Sequence, residues 1–305
     1  MNYFETIKAA LDASFAGICE HLGLSREEAC RTIKQHLATM SHEWFSGQTP
    51  NIVYGDPLCR FAYLFCHVGA NANLCEVAIR SSPDLCDFID TTLEKAEELR
   101  VCAFGGGPGT ELLALSKFLL GRAFPVHVEI SFTLLDRVPE WAETWNALEA
   151  QIKAGLKATY GPKSKRPFST SKTFVPFDMT KAHQYANLSH LLEQDVYVMN
   201  YVVSEVVGDH AKFQELITAA SSAAPPGSKF LVVDRDQDRV IENTNDLLTK
   251  AGLTVGSVQK TSTCMDLNER KDSLEPYISA IDRRPRLQWG SWSGRGAFFV
   301  VGTKP

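Results

Sequence analysis

No C-x-x-C pair occurs in this sequence, although it has eight cysteines, at 19, 30, 59, 66, 75, 86, 102 and 264. Cys66-His67 is the nearest approach to a metal pair, and it has no companions at ligand spacing, so no metal is expected. The thiols read as free, in a reducing compartment. No uninterrupted apolar run approaches the ~20 residues that a bilayer-spanning helix needs. The start, Met1-Asn2-Tyr3-Phe4-Glu5, has neither the basic nor the apolar region of a secretory signal. A soluble intracellular protein is expected, cytoplasmic, with the nucleus as the alternative. Positive charge is not in excess: 31 Lys and Arg stand against 36 Asp and Glu, a net −5, which removes any whole-molecule electrostatic case for nucleic acid. Internal repeats and low-complexity segments are also missing. What is present is an ordinary globular composition, 44% hydrophobic and 22% charged.

Residues 1 to 92 read as helical. Phe4, Ile7, Leu11, Phe15 and Ile18 recur at spacings of three and four, which is one helical face. Ser25-Arg26-Glu27-Glu28 fits a capping box ahead of a second helix through Ile33, Leu37 and Met40. An apolar segment from Leu58 to Val68 is interrupted by Arg60 and His67. Ser82-Pro83 predicts a long helix, with serine as N-cap and proline at the first helical position. This unit is expected to be a helical cap or substrate lid over a second domain, 93–305.

From Val101 onward strands alternate with helices, the signature of a parallel sheet with crossover helices. A strand at 101–104 runs into Gly105-Gly106-Gly107-Pro108-Gly109, and a helix starts at Thr110. A glycine turn lets a ligand lie against the backbone, because no Cβ intervenes. A second strand ends at Asp136, a third (173–177) at Asp178-Met179, and a fourth (195–199) at Asn200-Tyr201. A fifth strand covers 229–234. Segments near 253–260 and 297–301 can pair antiparallel. Open parallel sheets bind ligands at the carboxyl ends of their strands. An acid after the second strand can take both hydroxyls of a ribose, and a carboxylate after the third can accept from an adenine amino group, so these strand ends suit an adenosine. The dinucleotide fingerprint requires a glycine three residues after the second one; Thr110 stands there.

In these motifs, over roughly 100–305, the chain resembles the class I S-adenosylmethionine-dependent methyltransferases. The glycine turn resembles that family's first motif, Leu134-Leu135-Asp136 its ribose-binding acid, Phe177-Asp178-Met179 its adenine-contacting loop, Asp195 to Val207 its fourth strand and following loop, and Pro226-Gly227 its fifth-strand lead-in. The resemblance implies an α/β, Rossmann-like, mostly parallel sheet with an antiparallel last strand. It implies S-adenosylmethionine as cofactor, leaving as S-adenosylhomocysteine. Carried over residue by residue, it names Phe104, Gly105, Gly106, Gly107, Gly109, Glu111, Asp136, Arg137, Asp178, Met179 and Asn200 as cofactor-binding. Ala103 stands where the family usually has an acid, and Glu111 or a residue of the cap is expected to substitute.

The loop after the fourth strand supplies the catalytic candidates Tyr201 and Glu205, with Ser204, Asp209 and His210 nearby. Glu205 also reads as a carboxylate favoured by a helix start, and His210 as a solvated residue. Asn200-Tyr201-Val202-Val203, in place of Asn-Pro-Pro-Tyr, argues against an amide or adenine nitrogen as acceptor. Tyr54, Asp56 and Arg60 are substrate-binding candidates; the other reading makes Asp56 a helix cap, Pro57 the first helical residue and Arg60 exposed. Trp289 and Trp292 either wall the pocket or pack a hairpin. Lys157, Lys163, Lys165 and Arg166 form a basic stretch that either tracks a phosphate backbone or is solvated. The expectation is methyl transfer to an oxygen or nitrogen of a small molecule. Transfer to RNA or protein, and a methyltransferase-like binding protein without activity, are the rivals.

Overall fold

The computed structural model describes residues 1–45, 50–120, 122, 127–160, 168–181, 191–261, 271–286 and 296–305. Helices α1 (Tyr3–Leu22) and α2 (Arg26–Phe45) meet at Gly23, whose left-handed backbone (φ 63°) ends α1. The capping box forms as expected: the Ser25 amide donates to Glu28 Oε2 at 2.9 Å, and the Glu28 amide donates to Ser25 Oγ at 3.2 Å. Helices α3 (Pro57–Cys66) and α4 (Val68–Arg80) divide the apolar segment at His67. Pro83 opens α5 (Pro83–Ala96), but Ser82 does not cap it. Its hydroxyl donates to the Ala78 carbonyl at 2.8 Å instead. The last turn of α4 leaves carbonyls without intrahelical donors, and a serine two residues beyond it satisfies one of them.

The sheet contains β1 (Glu98–Phe104), β2 (Val128–Asp136), β3 (Phe168–Pro176), β4 (Val196–Asn200), β5 (Lys229–Arg235), β6 (Thr254–Val255), β7 (Gln259–Thr261) and β8 (Ala297–Thr303). Its order is β3-β2-β1-β4-β5-β8-β6, with β7 also on β8. Strands β1 to β5 pair in parallel, and β8 runs antiparallel to β5, β6 and β7. This is the mixed, Rossmann-like sheet with an antiparallel strand near one edge that the resemblance to class I methyltransferases implies. Between strands lie α6 (Thr110–Leu120), α7 (Trp141–Tyr160), α8 (His210–Ala223) and α9 (Asp238–Lys250). Central strands of a parallel sheet are covered on both faces and read as continuous apolar runs; all five residues of β4 are buried, whereas edge strand β3 is buried at few positions. Strand β3 starts earlier than its apolar residues suggest, because its first residues pair with β2 from Val128 onward.

Two apolar clusters flank the sheet. Val101, Ala103, Leu134 and Val198 belong to one that continues into α1, α2, α3 and α4. Cys102, Phe104, Tyr197 and Phe230 belong to the other, with α8 and α9. Helix α4 packs on α6, and α1 on α7. Helix α10 (Glu275–Ile281) returns to α2, and Tyr277 in it donates to Asp12 of α1 at 2.8 Å. Residues from both ends of the chain therefore build the helical layer. Seven described cysteines are free thiols; Cys264 lies outside the described residues. Among the described residues, no helix is long and apolar enough to cross a membrane.

Candidate functional site

Strand order reverses between β1 and β4, so the loops after these two strands diverge and leave a crevice at their carboxyl ends. The glycine turn leaves β1 there. Gly105 has φ +61° and lines the crevice, and a Cβ on it would meet Val202 Cγ2 at 3.0 Å. Gly106 lies close over the sheet, where a Cβ would stand 2.9 Å from Leu134 Cγ and 3.0 Å from the Ala103 Cβ. The turn is thus clamped between β1, β2 and the β4 loop.

Asp136, at the end of β2, holds the turn from the side. Its Oδ2 accepts from the Gly107 amide at 3.0 Å and its Oδ1 from the Val138 amide at 2.9 Å. Burial pushes its carboxyl up to about 6, against the pull of those amides. Asp178 follows β3. Burial acts to raise its carboxyl, but donors from Thr180 (amide 3.0 Å, hydroxyl 2.7 Å) and the Lys181 ammonium outweigh burial and hold it below the usual range.

At the end of β4, Asn200 is buried and Tyr201 has φ 62°, a left-handed conformation in a bulky residue. Such a backbone costs about 1–3 kcal/mol and persists only where its surroundings hold it. Here the Tyr201 amide donates to the Val233 carbonyl at 2.8 Å. The kink turns Tyr201, Val202 and Glu205 toward the crevice. Burial keeps the Tyr201 phenol well above its ordinary value, so it stays protonated. Glu205 is half-buried, and burial pushes it up to about 7 while Arg235 and Arg137 pull it down.

Asp234, at the end of β5, is a site-building residue that the sequence reading passed over. Fully buried, it accepts from the Ser204 amide at 2.9 Å and so fixes the start of the Glu205 loop. The signal was present: it is one more acid at the end of a strand.

The crevice, counted together with the open solvent at its mouth, spans about 900 Å³. Gly105, Gly107, Asp136, Arg137, Asp178, Met179, Asn200, Tyr201, Glu205 and Tyr54 all line it, so the structure brings these expected residues together. Phe104, Gly109 and Glu111 are buried and, like Gly106, are not on its wall. Tyr63 and Trp141, which the sequence did not single out, complete the wall with Tyr54: the ring centroids are 5.7 Å (Tyr54–Tyr63), 5.1 Å (Tyr54–Trp141) and 5.5 Å (Tyr63–Trp141) apart. Tyr54 comes from the loop before α3, Tyr63 from α3 and Trp141 from α7, so only tertiary packing makes them neighbours.

Asp56 and Arg60 are not on the wall. Asp56 caps α3, accepting from the Leu58 amide at 2.8 Å, and pairs with His36 at 3.2 Å. Arg60 is buried rather than exposed, donating to the carbonyls of Tyr54 (3.0 Å) and Gly55 (2.8 Å) and to Glu143 (2.8 Å). It holds the loop that presents Tyr54. His210 opens α8 and Lys157 lies within α7. Trp289, Trp292, Lys163, Lys165 and Arg166 lie outside the described residues.

No protein-family model matches the sequence, and neither does any curated protein. Solved structures match at low identity. One is mitomycin 7-O-methyltransferase, at 16% identity over 88% of this chain and 67% of that one, with a TM-score of 0.43. Another is the 4+2 cyclase SpnF, at 11% identity over 77% and 81%, with a TM-score of 0.44. A SAM-dependent methyltransferase from Methanosarcina mazei matches at 10% identity over 70% of this chain and 96% of that one, with a TM-score of 0.40. The solved structures to which this chain is similar include SAM-dependent methyltransferases, and its own strand order and direction are those of a Rossmann-like, mostly parallel sheet with one antiparallel strand near the edge.

Proposed function

We propose that the chain is an S-adenosylmethionine-dependent methyltransferase with a small-molecule acceptor. The observation that carries this is Asp136: a buried carboxylate at the end of β2, beside the switch between β1 and β4, tied to the amide of Gly107 and lining the crevice. Each carboxylate oxygen accepts from one amide and keeps a lone pair for a further donor, as a ribose diol requires. The bare backbone at Gly105 offers the close approach that a bulky adenosyl group needs. Asp178 and Met179 suit the adenine end.

When bound, the cofactor supplies an electrophilic methyl group, and the protein's task is orientation and exclusion of water. Glu205 is the residue placed to take a proton from an acceptor hydroxyl or amine. A carboxylate poised near neutral pH can both hold and release a proton. Tyr201, kept protonated, donates a hydrogen bond that orients the acceptor. Tyr54, Tyr63 and Trp141 roof the crevice with apolar surface, which suits a small acceptor better than a polymer.

Calorimetry tests the root of this proposal. Binding of S-adenosylmethionine and S-adenosylhomocysteine is the expected result, followed by tritiated methyl transfer to the small-molecule fraction of a cell extract. Absence of binding overturns it, and label in the RNA or protein fraction alone overturns the acceptor class.

A further inference from the structure

Two hydrogen bonds run from the sheet to the aromatic wall of the crevice. The Asn200 side-chain amide, at the end of β4, donates to the Asn71 carbonyl in α4 at 3.4 Å. The side-chain amide of Asn71, itself buried, donates in turn to the Tyr63 hydroxyl oxygen in α3 at 3.2 Å. Rings hold Tyr63 from several sides: Trp44 at 6.1 Å and His67 at 5.4 Å between centroids, besides Tyr54 and Trp141. These contacts fix the orientation of the ring.

A phenol has one proton to donate and two lone pairs that accept. Asn71 occupies a lone pair of Tyr63, so the proton points elsewhere. Among the described residues it has no acceptor. Burial keeps the phenol above its ordinary value, so the proton stays on. A shielded donor left unmatched costs about 1–3 kcal/mol. Tyr63 lines the crevice together with Glu205, and Glu205 is the charge that acts on it most, without a hydrogen bond between them.

We propose that the Tyr63 hydroxyl is a specificity-determining donor of the acceptor site, that Asn71 is its positioning residue, and that the methylated atom is a hydroxyl oxygen and not an amine nitrogen. This rests on the function proposed above. A hydroxyl oxygen brings one proton and two lone pairs. The proton goes to the Glu205 carboxylate. One lone pair forms the bond to the methyl carbon, whose bond to sulfur breaks with its electrons left on sulfur. The other lone pair accepts from Tyr63. A neutral amine nitrogen has a single lone pair, which must make the new bond, and Tyr63 is then left unmatched. A site with a buried polar group discriminates against a substrate that cannot satisfy it far more strongly than an apolar pocket does.

The test uses tritiated S-adenosylmethionine, with the small-molecule fraction of a cell extract as acceptor. Hot hydriodic acid releases O-methyl groups as volatile methyl iodide and, under the same conditions, leaves N-methyl groups in place. Label transferred by wild type is expected in the volatile fraction. Tyr63→Phe keeps the ring and removes the proton. Its labelling rate at limiting extract should fall about tenfold, the loss of one hydrogen bond to the acceptor, while S-adenosylhomocysteine affinity by calorimetry stays unchanged. Asn71→Leu should lower the rate of wild type but cause no further fall in Tyr63→Phe, a dependence that mere loss of packing does not produce. Non-volatile label, or an unchanged rate in Tyr63→Phe, overturns the assignment and leaves the proposed function standing. The volatility result needs no variant, so it decides even if Tyr63→Phe fails to fold. If wild type binds no S-adenosylhomocysteine, or labels nothing in the small-molecule fraction, the proposed function falls and takes the assignment with it.

Discussion

The Gly107 amide donates to Asp136 Oδ2 at 3.0 Å, across 29 residues of sequence. One hydrogen bond thus joins the turn after β1 to the end of β2, and makes the shape of the turn depend on the acid beside it. Asp136→Ala removes both the carboxylate proposed to hold the ribose and the anchor of the turn. S-adenosylhomocysteine is expected to bind more than tenfold more weakly, over ~1.4 kcal/mol. Isothermal titration of the variant checks this, and an unchanged affinity rules out the ribose assignment.

Glu205 is half-buried and lines the crevice with a carboxyl pushed up to about 7. As a base it must be ionised, so turnover is expected to rise with pH through that value and then level off. Glu205→Gln should lower kcat by roughly 10²–10⁴-fold, flatten the pH profile and leave cofactor affinity unchanged. A variant that keeps both its rate and its pH dependence excludes Glu205 as the base.

Glu111, Asp136 and Glu205 share a direction: burial raises each above its ordinary carboxyl value, to about 8, 6 and 7. A group with a raised folded-state pKa contributes stability that is fully present below the unfolded value and is lost as pH rises through the folded value. The ligand-free protein is therefore expected to lose stability between pH 5 and about 8. Glu111→Gln should raise Tm at pH 8 relative to wild type and not at pH 5. Parallel Tm curves for the two proteins would contradict the burial of a titrating Glu111.

Arg60 has a buried guanidinium with three partners, two of them carbonyls of the Tyr54-Gly55 loop. Arg60→Met keeps the stem and strands those carbonyls. A loss of about 2–4 kcal/mol is expected in chemical unfolding. The acceptor's KM should rise more than that of the cofactor, since the loop carrying Tyr54 is released. A loss under 1 kcal/mol would mean that water replaces the guanidinium.

The capping box makes a smaller, local claim. Ser25→Ala should cost ~1 kcal/mol with no effect on ligand affinity, read by thermal unfolding with and without S-adenosylhomocysteine.

What was legible in the sequence was whatever neighbours along the chain determine. The Ser25 box needs only residues three apart, and it formed. The glycine turn, and the acids at the carboxyl ends of β2 and β3, follow from a strand running into a loop. The parallel order follows from alternating strands and helices. Each of these depends on contacts within one or two elements, where side-chain pattern and backbone chemistry suffice.

Tertiary structure alone decided the rest. Arg60 looked exposed because its partner Glu143 is 83 residues away. Ser82 looked like a cap until the end of α4 offered its hydroxyl a nearer carbonyl. Tyr63 and Trp141 became a wall with Tyr54 only when α3 and the loop before it settled on α7. Asp234 and the Ser204 amide, 30 residues apart, met only because β5 lies beside β4. The physical reason is common to all four: a polar or aromatic side chain takes its role from the partner that burial imposes, and burial is set by packing between segments whose separation along the chain carries no signal.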